Sequence, residues 1–73
     1  MRVLILNDNV TLDVLVAHAF TEICGWSVEQ AVAGMSHVHH HGHLPVAECP
    51  DRESAEALAL RFLRYGIRAV VAP

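Results

Sequence analysis

The sequence has few basic residues and no long apolar run. Five Lys and Arg residues stand against eight Asp and Glu residues, so the formal net charge is -3. Nucleic-acid interfaces and membrane-surface segments need clustered positive charge, and this balance argues against both kinds of partner. The apolar stretch from Met1 to Leu6 is too short for the hydrophobic region of a signal peptide, and Asn7 interrupts it. No run approaches the ~20 residues of a membrane-spanning helix.

Cysteines are also scarce. Cys24 and Cys49 lie in unrelated contexts without CxxC spacing, which predicts two reduced thiols in a cytoplasmic protein. By contrast, 53% of the residues are hydrophobic, which predicts a folded chain, and 73 residues suffice for a single domain over 1–73. Only 18% are charged, so part of the apolar surface is expected to meet a partner.

Hydrophobic spacing in the first third predicts a strand and then a helix. The run Arg2–Leu6 is rich in Val, Leu and Ile and predicts a strand. Thr11 is a good N-cap, and Asp13 follows in the first helical turn, where the helix dipole favours a carboxylate. Gly25 is typical of the residue just after a helix. The apolar positions between these signals recur at helical spacing: Leu12, Leu15, Val16, Ala19, Phe20 and Ile23.

The middle third predicts a second helix and a short strand. The residues Ser27 to Gln30 form a capping-box pattern, so a helix is expected to start after Ser27. It should end near Gly42. A short extended piece over Leu44–Cys49 follows, and Pro45 within it cannot donate a ladder hydrogen bond. We therefore expect this strand to lie at a sheet edge or to contain a bulge.

The last third predicts another helix and strand. Asp51 is the expected cap of a helix that Gly66 ends, and Arg68–Ala72 is an expected strand. The apolar stripe of this helix comprises Ala55, Leu58, Ala59, Phe62 and Leu63. The order is therefore strand, helix, helix, strand, helix, strand. So few strands predict an α+β fold in which a three-stranded sheet has helices on one face.

A polar pair stands where the first strand ends. Asn7 and Asp8 provide an amide oxygen and a carboxylate. An α-ammonium group held away from water needs such acceptors, preferably one with a full negative charge. These residues are therefore candidates for binding the free amino terminus of a peptide, with Thr11 facing the same site. When the stretch is considered alone, turn chemistry and helix capping explain it better.

An ordered set of residues resembles the ClpS family, the adaptors that carry N-degron substrates to a Clp AAA+ unfoldase and its protease. The spacing fits without gaps from the Asn-Asp pair to Gly42 and is weaker from Leu44 onward. The matching residues are Asn7, Asp8, Thr11, Gly25, Ser27, Met35, Val38, His39 and Gly42. The resemblance implies an antiparallel sheet and a non-enzymatic adaptor without a cofactor. Its partners would be proteins with a free amino-terminal bulky hydrophobic residue and a ClpA- or ClpC-type unfoldase.

The resemblance also implies roles for individual residues. Residues matching Asn7, Asp8 and His39 would hold the α-amine, and a neutral imidazole can accept a hydrogen bond there. The slot for the first side chain would be lined by Thr11, Asp13, Val16, Met35, Val38 and Ile67. The family usually has Met at the position of Asp13, where it guards the slot against β-branched side chains. A carboxylate facing the slot would change the selection toward smaller or basic residues.

A histidine cluster supports an alternative hypothesis. His37, His39, His40, His41 and His43 lie within seven residues, and His37 and His41 have the i, i+4 spacing that can chelate a divalent metal. A small histidine-rich metal-binding protein on the same fold is therefore the second candidate. No Cys or carboxylate joins the cluster at ligand spacing, so we favour an exposed helix end. An enzymatic dyad of Asp8 and His39 would lack a recognisable nucleophile.

Overall fold

The computed structural model of the protein describes residues 1–8 and 13–73. Within these ranges the chain forms three helices and a three-stranded antiparallel sheet, in the order β-α-α-β-α-β. The elements are β1 (Arg2–Leu6), α1 (Asp13–Cys24), α2 (Val28–His41), β2 (His43–Glu48), α3 (Arg52–Arg64) and β3 (Ala69–Ala72). The predicted α+β class and element order are confirmed. The second and third strands each differ from the predicted bounds by one residue.

The first strand lies at the centre of the sheet. The strand order is β2-β1-β3, and β1 pairs antiparallel with both neighbours. Val3 pairs with Ala47, but the next residue of β1, Leu4, pairs with Pro45, so Val46 is an extra residue in β2. Pro45 therefore lies on an edge strand beside an irregularity, which is where a residue without an N–H is tolerated. Both parts of the prediction for Pro45 are confirmed.

Local side-chain chemistry fixes the two ends of α2. The Ser27 hydroxyl accepts a hydrogen bond from the Gln30 backbone N–H at 3.1 Å, and the Gln30 side-chain oxygen accepts one from the Ser27 N–H at 3.1 Å. This reciprocal pair is the predicted capping box. At the other end Gly42 adopts φ +86° and donates its N–H to the Val38 carbonyl at 2.8 Å. A left-handed residue of this kind ends the helix, as predicted.

The cap of α3 also agrees with the sequence prediction. The Asp51 carboxylate accepts a hydrogen bond from the Ser54 N–H at 2.7 Å. Hydrogen bonding by Ser54 lowers the pKa of Asp51. The charged form is thus the one that stabilises α3, and this stabilisation is lost as the pH falls through the lowered pKa. Gly66 has φ +81° and follows the C-cap residue Tyr65.

The core lies between the sheet and the helices, which cover one face of it. Val3 and Ile5 are fully buried, while Leu4 between them is only half-buried, which is the alternation of a sheet covered on one side. On α3, the buried positions are Ala55, Ala59 and Phe62. Leu63 was predicted to join this stripe, but its side chain is 49% exposed. The prediction is wrong because Phe62, one position earlier, already faces the core, and a helix turns by about 100° per residue.

The three helices meet around Phe20 and Gly34. The Phe20 ring lies 4.8 Å from the Trp26 ring and 6.1 Å, edge-on, from that of Phe62, measured between centroids. A Cβ atom placed on Gly34 would lie 2.8 Å from the Trp26 ring, 3.2 Å from the Phe20 ring and 3.3 Å from Leu44. Gly34 is therefore present because α2 approaches these side chains too closely for any larger residue.

We expect Gly34→Ala to lower the free energy of unfolding by up to about 2 kcal/mol. Alanine gains ~1 kcal/mol of helix propensity, but overpacking in a filled core costs about 1–3 kcal/mol, so the loss prevails. Urea unfolding measures the change. Trp26, the single tryptophan, reports the mechanism, because its displacement should shift its fluorescence emission to the red. An unchanged emission spectrum together with a more stable protein would contradict this packing argument.

Both cysteines are half-buried and unpaired, in agreement with the predicted thiols. Burial raises the pKa of the Cys24 thiol, and the smaller opposing influence is the charge of Arg61. Among the helices of the described ranges, none is long and apolar enough to cross a membrane.

Candidate functional site

Three segments far apart in sequence meet where β1 ends. The Asn7 N–H donates to the Gly42 carbonyl at 2.9 Å, which joins the end of β1 to the end of α2. The Leu6 N–H donates to the Arg68 carbonyl at 3.0 Å, which joins the same point to the segment entering β3. Because these are backbone hydrogen bonds, the meeting of the three segments does not depend on a side-chain rotamer.

A narrow cleft lies at this junction, with about 300 Å³ of unfilled space between and in front of its walls, open solvent included. We call it the β1 pocket. The first helix contributes one wall, the second helix another, and the segment before β3 a third. Its lining residues are Leu6, Asn7, Asp8, Asp13, Val16, Met35, Val38, His39 and Ile67.

The exposure of the lining residues separates a floor, walls and a rim. Val38 and Ile67 are 4% and 2% exposed and form the floor. The half-buried walls comprise Leu6, Asp8, Val16 and Met35. The exposed rim comprises Asn7, Asp13 and His39. The β1 pocket is therefore aliphatic at its base and polar at its mouth, a pattern suited to a ligand with an apolar part and a charged or polar end.

The electrostatic character of the mouth favours a cation. The two carboxylates in the lining are those of Asp8 and Asp13, and none of the described lining residues is Lys or Arg. The carboxyl end of α2 also lies here, because the Gly42 carbonyl accepts from Asn7. The last turn of a helix has a partial negative charge of about half an elementary unit, which favours a cation nearby.

The predicted site residues that the structure describes all line the β1 pocket, and one predicted position lies outside the described part of the chain. Asn7, Asp8 and His39, predicted for the α-amine, all line the β1 pocket, as do Asp13, Val16, Met35, Val38 and Ile67, predicted for the side-chain slot. The prediction for Thr11 falls outside the described residues. Their common location does not by itself establish a role for any of them.

Leu6 is the lining residue that the sequence prediction omitted. It is half-buried and directly precedes Asn7. A strand residue adjacent to a candidate polar pair is a reasonable signal for a wall position. The sequence predicts Leu6 as the last residue of the strand and not as a site residue, because the family resemblance that indicates the site residues begins at Asn7.

The histidine cluster does not assemble into a metal centre in the described ranges. The His37 and His41 rings lie 4.4 Å apart between centroids and are tilted by 31°. The His40 Nδ1 atom lies 2.8 Å from the Ser36 carbonyl oxygen, a local contact within α2. Over residues 1–8 and 13–73 no group of three or more His, Cys, Asp or Glu side chains is arranged to hold a metal ion. The metal-binding alternative therefore gains no support from this part of the chain.

The fold and the pocket define a small α+β domain with a polar-rimmed, aliphatic pocket at one end of its central strand. Comparison with known proteins assigns this domain to a family. The family model described as ATP-dependent Clp protease adaptor protein ClpS matches residues 1–68, so the chain belongs to the ClpS family.

A curated relative gives the same assignment. The chain is 46% identical over 48 residues to the "ATP-dependent Clp protease adapter protein ClpS 2" of Rhodopseudomonas palustris (strain ATCC BAA-98 / CGA009). The match covers 66% of this chain and 41% of the relative, so the chain spans about two fifths of the length of the curated relative that it matches. The predicted family resemblance is confirmed.

Proposed function

We propose that this chain is the substrate-recognition domain of a Clp protease adaptor. In this proposal the β1 pocket binds the free α-amine and the first side chain of a substrate protein, typically a bulky hydrophobic one. The adaptor then transfers the substrate to a ClpA- or ClpC-type AAA+ unfoldase for degradation, without performing a reaction of its own. The observation that supports this most directly is that one pocket gathers Asn7, Asp8 and His39 at the mouth of an aliphatic cavity.

The polar end of the pocket is suited to an ammonium group. An α-ammonium has three N–H donors and one positive charge, so it needs several acceptors in convergent positions. In this proposal the Asn7 amide oxygen, the Asp8 carboxylate and the His39 imidazole, all in the lining of the pocket, provide these acceptors. The partial negative charge at the end of α2 adds to the attraction, because Asn7 is bonded to its terminal residue Gly42.

The aliphatic end is suited to a side chain. Val38 and Ile67 form a floor from which water is largely excluded, and Val16 and Met35 stand beside it. Burying a Leu or Phe side chain against such walls contributes about 1.5–3 kcal/mol. The unbranched and polarisable Met35 can also adjust to side chains of different shapes. Recognition would therefore combine an ionic contact to the α-amine with an apolar contact that accepts side chains of different shapes.

The delivery half of the proposal rests on family membership and on the words adaptor and adapter in the two matched descriptions. A degradation assay with a Clp unfoldase and protease tests this half directly.

We expect a Leu-first peptide with a free α-amine to bind at least about 30-fold more tightly than its acetylated form. Acetylation removes the positive charge of the amine and with it the ionic contact to the half-buried Asp8 carboxylate, a loss of about 2 kcal/mol or more. Fluorescence anisotropy measures both affinities. Reporter proteins with the same two amino termini, incubated with a Clp unfoldase and protease, test delivery in the same experiment. Equal affinity for the two peptides would contradict the proposed α-amine site.

A further inference from the structure

The β1 pocket contains more negative charge than an α-amine requires. Asp8 lies on the wall beside Asn7, whereas Asp13 lies on the rim as the first residue of α1. One ammonium group can neutralise one carboxylate, which leaves a second carboxylate facing the same cavity. That second carboxylate is the one of Asp13, and none of the described lining residues is Lys or Arg.

The position of Asp13 relative to the apolar wall determines which side chains the pocket can accommodate. Asp13 and Val16 are three residues apart on α1, so their side chains lie on the same face of that helix. Val16 is half-buried and Asp13 is exposed. The wall therefore runs from aliphatic to anionic over one helical turn. The amino-terminal end of α1 contributes a partial positive charge of about half a unit, which the full charge of Asp13 outweighs.

We propose that Asp13 is a specificity-determining residue that extends the ligands of this pocket to proteins beginning with Lys or Arg. This inference rests on the proposed function, since it requires the α-amine to be bound at Asn7 and Asp8. The methylene stem of the first residue packs on Val16, Met35 and Ile67, and its charged head reaches the Asp13 carboxylate at the rim. Long cationic side chains commonly bury their stems while the head stays near water. A doubly positive first residue thus matches both carboxylates.

Matched peptides separate the contribution of the charged head to the binding affinity from that of the methylene stem. Peptides that differ only in the first residue carry Lys, its uncharged analogue norleucine, Arg, its uncharged analogue citrulline, or acetylated norleucine. Exposed ion pairs contribute little, so at the rim we expect Lys to bind only about two- to fivefold more tightly than norleucine, and Arg likewise relative to citrulline. The preference should weaken at high salt, because exposed charges are screened. Fluorescence anisotropy at two salt concentrations measures these ratios.

Three variants test whether the preference for Lys over norleucine depends on Asp13. Asp13→Asn should reduce the Lys-to-norleucine ratio to about one, while Asp13→Glu should retain it. Glu22→Gln makes the same charge change at an exposed position of α1 outside the β1 pocket and should leave the ratio unchanged. A general electrostatic effect of the acidic chain would lower the ratio equally in Asp13→Asn and Glu22→Gln.

The outcomes separate this inference from the proposed function. If norleucine binds but acetylated norleucine does not, the α-amine site is intact. A wild-type ratio below two, or a ratio unchanged by Asp13→Asn, then overturns the inference alone. If free and acetylated norleucine bind equally, the proposed function fails and the inference fails with it. A ratio above two that Asp13→Asn abolishes and Asp13→Glu retains supports the inference.

Discussion

Phe20→Ala should leave the protein only marginally stable at room temperature. Phe20 is fully buried on α1 and contacts the Trp26 ring and the Phe62 ring of α3, while Gly34 of α2 lies close to it. Removing a buried Phe ring costs about 3–5 kcal/mol, because the transfer free energy and the cavity left behind add together. Domains are stable by about 5–15 kcal/mol in total, and a chain of 73 residues lies near the lower end.

Urea unfolding followed by circular dichroism and by Trp26 fluorescence measures this loss. Phe20→Leu is the matched control, since it keeps an apolar side chain and should cost clearly less than the alanine variant. Leu60→Ala, at a position 47% exposed on α3, should change stability by a few tenths of a kcal/mol. A Phe20→Ala loss below about 1.5 kcal/mol would show that the three helices do not depend on this contact.

Much of the fold could be predicted from the sequence because its boundaries are encoded locally. The capping box of Ser27 and Gln30 and the Asp51 cap involve residues three or fewer positions apart. Gly42 and Gly66 both have the positive φ that the prediction required of a residue after a helix. Such signals can be detected in a single sequence because they do not depend on the remainder of the fold.

The errors arose where tertiary contacts decide. Leu63 continues the apolar spacing of α3 but remains half-exposed, because Phe62 occupies the place against Phe20. Phe20 is more than forty positions away from Leu63, and local periodicity cannot supply such a contact. The irregularity in β2 was predicted from Pro45, but its exact position at Val46 depends on how β2 pairs with Val3 and Leu4 of the central strand.

The candidate site was predicted chiefly through family resemblance. Composition and spacing alone favour a turn as the explanation of Asn7 and Asp8, and an ordinary core position as the explanation of Met35 and Val38. What the structure adds is their proximity. The hydrogen bonds from Leu6 to Arg68 and from Asn7 to Gly42 bring the ends of β1 and α2 together with the segment before β3. This arrangement is a property of the sheet order, which no short motif encodes.

Asp8→Asn should weaken binding of a Leu-first peptide by about 30- to 150-fold. The substitution keeps the size of the side chain and removes its charge, so the bound α-ammonium loses its ionic partner. Removing one member of a buried, hydrogen-bonded charge pair costs about 2–5 kcal/mol. Asp8 is only half-buried, so we expect the lower part of that range, about 2–3 kcal/mol. Glu53→Gln makes the same charge change at an exposed site on α3, outside the β1 pocket, and should leave the affinity unchanged.

A double-mutant cycle assigns this effect to the α-amine. The wild-type protein and Asp8→Asn are each titrated by fluorescence anisotropy with the free and the acetylated Leu-first peptide, after circular dichroism has shown that both proteins are equally folded. If Asp8 binds the ammonium, the two changes remove the same interaction, so acetylation should have little further effect on the variant. Additive losses would mean that Asp8 stabilises the pocket without contacting the amine, and the assignment of Asp8 would then be wrong.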